Sequence, residues 1–235
     1  MKKSTPLPQL TQGPIGPLLT RLTLQMTMGM LAVIAFNIVD TIFVGQLGTV
    51  QLASMSYTFP IVMIITSITL GVGAGSSAVI SHIIGTGDQH RVQKLASDSI
   101  LLSLLIAIFM TIVGLASLDT IFVWMGATAA ELPHIKDYMV VWYIGLTFHI
   151  LPMAGNSTLR ALGDMKTPSL IMAAAVGLNL ILDPIFIFGW GPVPPLGIQG
   201  AAWATLIARA ISTITAFVVL KQKKNLLTWP STPLP

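Results

Sequence analysis

The 235-residue chain is 54% hydrophobic and only 9% charged, with a mean hydropathy of +0.83, where a soluble domain carries about a quarter charged residues. That much apolar surface excludes a soluble core of this size and predicts an all-α, polytopic membrane protein. The net charge of +4 comes without the clustered basic face of a nucleic-acid reader, and the absence of cysteine excludes disulfides, thiolate metal sites and thiol nucleophiles.

Residues 1–16 lack a compact signal peptide, so the first span is expected to remain as an anchor. Six apolar segments follow across 17–220, each near the ~20 residues that a helix needs to cross hydrocarbon. They lie at about 17–44, 52–84, 96–118, 138–159, 168–189 and 200–220, and the second is interrupted by Pro60, Gly71, Gly73 and Gly75. Turn formers fill the connections after the first span (GQLGT) and the fifth (WGPVPPLGI), while 119–137 is the longer connection. Residues 221–235 read as a tail or linker.

Basic residues set the expected orientation. Lys2, Lys3, Arg21, Arg91, Lys94, Arg160, Lys166, Lys221, Lys223 and Lys224 all fall on one side, against Lys136 alone on the other. Both termini are therefore expected in the cytoplasm.

Three ionisable residues lie inside the spans: Asp40, Asp183 and Arg209. Asp40 stands five residues before Gly45 and Asp183 six before Gly189, which puts them roughly 8 and 9 Å below the same face of the bilayer. Thr205, entering from that face near Gly200, reaches a similar depth of roughly 8 Å. Asn179 precedes Asp183 by one helical turn on the same helix face, and Asn37 precedes Asp40 by three residues. An all-oxygen set of this kind suits a hard cation such as Na⁺ or a shared proton. Two close carboxylates in low dielectric resist double ionisation, so one of them holds a proton or accepts a cation in its place. The alternative for each acid is a helix-packing hydrogen bond.

Arg209 either snorkels, pairs with an acid or faces a water-filled cavity. His149 reads as a hydrogen-bonded helix contact before a proton relay. Pro184 withholds a hydrogen bond from the Leu180 carbonyl, which leaves a ligand, a hinge or packing as its role, and Pro60 reads as a kink. The glycines at 71, 73 and 75 follow no strand, so they read as close packing or a bend and not as a phosphate loop. Twelve methionines suit an adaptable apolar cavity. The polar stretches Asp88-Gln-His90 and Arg160…Lys166 read as turns, and no dense set of nucleophiles or metal ligands suggests an enzyme.

Several stretches together resemble the multidrug and toxic compound extrusion (MATE) antiporters. They are DTIFVGQLG (40–48), GVGAGSSAVISHIIGTGD (71–88), LRALGDMKTP (159–168), NLILDPIFIFG (179–189) and LGIQGAAWAT (196–205), in the order of that family. The resemblance implies one six-helix lobe of a two-lobe transporter in the bacterial plasma (inner) membrane, with 221–235 as a truncated linker between lobes. It implies export of cationic or amphiphilic compounds in exchange for Na⁺ or H⁺ and no other cofactor. The cation site it implies is Asp40, Asn179, Asp183 and Thr205, the set that depth selects, with Asn156 as a polar position of the central cavity. A second lobe is expected from a C-terminal half, a separate chain or a homodimer. The alternatives are a lipid-linked oligosaccharide flippase of the same superfamily, which a wide basic cavity would favour, and a truncated membrane subunit that binds cation without transport.

Overall fold

The computed structural model describes residues 15–84 and 89–222. Lys2, Lys3, Asp88, Lys223 and Lys224, used above for orientation and turns, lie outside the described residues. Seven helices account for nearly all of the rest: α1 (Ile15–Gly45), α2 (Thr49–Ile84), α3 (Gln89–Trp124), α4 (Leu132–Ile144), α5 (Leu146–Ala161), α6 (Lys166–Phe188) and α7 (Ile198–Gln222). A helix satisfies its own backbone polar groups, which is the condition for entering hydrocarbon. Five helices are long and apolar enough to cross a membrane, and α4 with α5 forms a sixth span bent by 45°. Among the described residues the one extended pairing is an isolated bridge between Trp190 and Val193.

The connection expected at 119–137 is much shorter in the structure. Helix α3 continues to Trp124 and α4 begins at Leu132, leaving only 125–131 between them. Charged residues end a hydropathy window, but they do not end a helix that has left the hydrocarbon. The 36 residues of α3 span about 54 Å against roughly 30 Å of hydrocarbon, so its end projects well clear. There Asp119 of α3 pairs with Lys136 of α4 at 2.6 Å.

The break in the fourth span falls at Gly145, while Pro60 and Pro184 lie inside unbroken α2 and α6. A Cβ at Gly145 would stand 2.9 Å from the Leu206 side chain, so glycine lets α7 approach where the span bends. Thr111 of α3 donates its hydroxyl to the Tyr143 carbonyl at 2.9 Å, which fastens the bend to its neighbour. Of the three glycines of α2, only Gly73 makes a close approach: a Cβ there would lie 2.6 Å from Ser157 Oγ of α5, whereas Gly71 and Gly75 face open space.

Two buried apolar clusters lie at opposite ends of the bundle. One joins Met55 and Ile65 of α2 to Phe122, Met139, Leu146, Ile150 and Ile198. The other joins Ile80 to Val92, Leu159, Leu162 and Leu220. Along α2, α5 and α7 a polar stretch separates them, and the cavity opens there. The outer faces are apolar, with Ile34, Ile38, Leu105, Phe109 and Ile112 exposed to what would be lipid. Trp124 and Trp190, exposed at one end of the bundle, suit the membrane–water interface.

Candidate functional site

The turn between α6 and α7 sets the register of the site. Gly189 ends α6 at φ +82°, and a Cβ there would sit 2.9 Å from the Pro195 nitrogen, so no other residue fits this turn. Leu196 and Gly197 then donate their N–H groups to the carbonyls of Phe186 and Ile187 at 3.0 and 3.1 Å. Gly200 lies directly on the Phe186–Ile187 backbone, leaving no room for a side chain. From that anchor the antiparallel helices bring Thr205 opposite Asn179, whose Nδ2 donates to Thr205 Oγ1 at 3.3 Å.

Helix α1 runs parallel to α6. Gly29 packs at Ser169, and Phe43 meets Phe188 edge-on at 6.3 Å between ring centroids. Between those contacts lie Asp40 and Asp183, close enough that the charge of Asp40 acts on the Asp183 carboxylate. Asp40 is 4% exposed, Asn179 2% and Asp183 0%. Asp40 Oδ1, Asn179 Oδ1 and both carboxylate oxygens of Asp183 have no hydrogen-bond partner among the described residues. The Asn179 amide is the one donor that acts on this group, through Asp183, and buried acceptors so short of donors are an arrangement that attracts a cation.

The donor chemistry narrows the cation. Among the described residues no three His, Asp or Glu gather at one place. Two carboxylates, an amide and a hydroxyl fit Na⁺ or a proton, and nothing here supplies the nitrogen and sulfur of a transition-metal site.

Arg209 of α7 is partly buried and acts electrostatically on Asp40. It also lines a cavity of about 410 Å³ enclosed by α1, α2, α5, α6 and α7. Asn37 of α1 and Asn156 of α5 line the same cavity, and Asn156 Oδ1 is buried without a partner. The amide of Asn179 reaches the cavity wall while the carboxylates of Asp40 and Asp183 do not. Pro184 sits half-buried in α6 directly after Asp183.

Two expectations need correction. His149 is not a hydrogen-bonded helix contact: both ring nitrogens are unpartnered among the described residues, and the ring tilts against Trp142 at 5.5 Å. The bend at Gly145 brings Trp142 of α4 and His149 of α5 onto one wall. Arg160 does more than open a turn: its carbonyl accepts the Gly163 N–H at 2.9 Å, but the residue belongs to the last turn of α5 and lines the cavity. Asp164 does build the turn, accepting the Thr167 N–H at 3.0 Å and its hydroxyl at 2.9 Å to open α6.

Tyr138 was passed over as a span boundary. It is buried on α4 and lies in the field of Asp40, Asp183 and Arg209 together. The helical spacing Ile135, Tyr138, Met139, Trp142 marks it as inward-facing.

Apolar spans packed around a largely apolar cavity that carries a few polar and basic groups, with two unsatisfied acids beside it, define a lobe of a membrane transporter. The chain belongs to the MatE family, which residues 26–185 match. It is 39% identical over 218 residues to the FAD transporter of Shewanella oneidensis, covering 93% of this chain and 48% of that one. It is 29% identical over 204 residues to the multidrug export protein MepA of Staphylococcus haemolyticus, covering 86% and 44%. A solved structure, the outward-facing conformation of a multidrug resistance MATE family transporter of the MOP superfamily, superposes with a TM-score of 0.89 at 32% identity. That match covers 99% of this chain and 52% of the solved one. The chain thus spans about half the length of the relatives it matches.

Proposed function

We propose that this chain is one lobe of a cation-coupled antiporter that exports amphiphilic organic compounds from a bacterial cell across the inner membrane, with both termini cytoplasmic. The observation that carries the reading is the group of buried, partnerless acceptor oxygens on Asp40 of α1 and on Asn179 and Asp183 of α6, with Asp40 near enough to act on Asp183. Asp40 and Asp183 would hold Na⁺ or H⁺, with Asn179 and Thr205 completing the oxygen shell. A bound cation favours one packing of α1 against α6 and α7, and cargo favours the other. Exchange follows from each ligand's different affinity for the two packings. Pro184, beside Asp183, is the hinge of this scheme. The second lobe comes from a C-terminal half, a separate chain or a second copy.

For cargo, the multidrug relatives favour cationic or amphiphilic drugs, and the apolar wall of Phe36, Val62, Leu70 and Met153 suits them. A second reading, that the cargo is FAD, is favoured by the arginines in the same cavity and by the relative in Shewanella named as an FAD transporter. The test is coupled flux in proteoliposomes of the two-lobe assembly. An imposed Na⁺ or H⁺ gradient is expected to drive cargo uphill, and Asp40→Asn and Asp183→Asn each to abolish that drive while the protein still inserts. Uphill flux that persists in both variants would defeat the proposal.

A further inference from the structure

The charge of the cavity is opposite to that of the neighbouring acid pair. Among the described residues its ionisable lining consists of Arg160, His149 and Arg209, with no carboxylate. Among the described residues neither arginine is in a salt bridge. The Arg160 guanidinium has only a Met172 sulfur at 3.9 Å, a weak acceptor that leaves the charge uncompensated. Asp40 acts on Arg209 at a distance without pairing with it. His149, 7% exposed, and Asn156, 6% exposed, add partnerless polar atoms to the same wall.

Arg209 lies at membrane depth with only the through-space charge of Asp40 to offset it, and Arg160 closes the last turn of α5 unpaired; basic residues so placed mark the path of a charged ligand. The planar fork of arginine matches carboxylate or phosphate oxygens, and in low dielectric this contact discriminates strongly against a neutral analogue. A cavity built for an organic cation would turn its carboxylates or aromatic faces inward. Here the acids stand behind the wall.

Resting on the export reading above, we propose that the cavity takes an amphiphilic organic anion whose carboxylate or phosphate is held by Arg209, with His149 beside it. Arg160 lies 11 residues along α5 from His149, about 16 Å away, at the far end of the cavity. It meets the anionic group first, and the apolar wall between the two accepts the rest of the ligand. The anionic group comes from a soluble cargo and not from a lipid headgroup.

The test uses the full chain in nanodiscs of phosphatidylcholine and three fluorescent probes. Flavin mononucleotide and riboflavin share one ring system and differ by a phosphate, and ethidium supplies a flat cation. Flavin mononucleotide is expected to bind about tenfold or more tightly than riboflavin, the discrimination of a charge-assisted contact, and ethidium most weakly. Arg209→Gln is expected to bring flavin mononucleotide down to the riboflavin level and leave riboflavin unchanged. Arg209→Lys is expected to keep an intermediate preference, and Arg160→Gln to slow binding more than it weakens it. Equal binding of the two flavins, tighter binding of ethidium, or an Arg209→Gln variant with full affinity would overturn the proposal. So would displacement of flavin mononucleotide when phosphatidylglycerol replaces phosphatidylcholine, because the site would then belong to lipid. A Na⁺ titration on the same samples keeps the two readings separate: loss of anion preference with an intact cation response defeats the cargo assignment alone.

Discussion

Asn179 and Thr205 are joined across α6 and α7 by an Nδ2-to-Oγ1 hydrogen bond of 3.3 Å, and the Asn179 carbonyl oxygen is buried with no partner among the described residues. The bond does two things with one amide. It fixes the register of two helices, and it holds the amide one turn from Asp183, close enough to act on that carboxylate.

A hydrogen bond between membrane helices contributes about 0.6 kcal/mol on average, so its structural share is small. Thr205→Val is therefore expected to lower stability in detergent by less than about 1 kcal/mol. If the hydroxyl also belongs to the cation shell, Na⁺-dependent thermal stabilisation falls several-fold in the same variant. A variant that loses stability but keeps its full Na⁺ response assigns Thr205 to packing alone.

The helix contact at Gly200 has no slack, because a Cβ would collide with the Phe186 carbonyl and the Ile187 nitrogen, both backbone atoms. Gly200→Ala is expected to cost about 1–3 kcal/mol through forced separation of α6 from α7. Gly71→Ala and Gly75→Ala meet nothing within 4 Å and are expected to be neutral, or stabilising by up to about 1 kcal/mol from lower unfolded-chain entropy. Melting curves of the three variants, read side by side, check the contrast.

Outside the membrane, Glu131 accepts both the N–H and the hydroxyl of Thr128 at 2.8 Å. These bonds, the backbone one first, hold its carboxyl below the ordinary value of 4.5. A carboxylate depressed in the folded state stabilises above its unfolded value, and that contribution is lost as pH falls through the folded value. The turn before α4 is thus expected to loosen in acid below the usual glutamate range, and Glu131→Gln to remove that dependence. Amide exchange of 125–131 against pH reads it directly.

The six spans were legible because a bilayer demands about 20 apolar residues from each, a requirement that composition alone reveals. Depth counting placed Asp40, Asn179, Asp183 and Thr205 together because residues counted back from a helix end give a physical height. The break at Gly145 was hidden, since one glycine among apolar neighbours changes hydropathy little, and what it permits is the approach of Leu206 from 61 residues away. Arg160 read as a solvated connection because a basic residue ends a hydropathy window. Its place in the cavity depends on α5 keeping helical hydrogen bonds through that residue. Tyr138 required knowing that its helix face turns toward α1 and α7, which is a tertiary fact. The basic character of the cavity was hidden for the same reasons, because without Arg160 and the bend at Gly145 only Arg209 points to it.

Whether the acids of α1 and α6 form one cation site inside this lobe is read by isothermal titration of Na⁺ into the purified chain at several values of pH. A single site in which Na⁺ and H⁺ compete is expected, lost in Asp40→Asn and in Asp183→Asn alike, with melting behaviour otherwise retained. Cation binding that survives both substitutions, or binding abolished by only one of them, would contradict it.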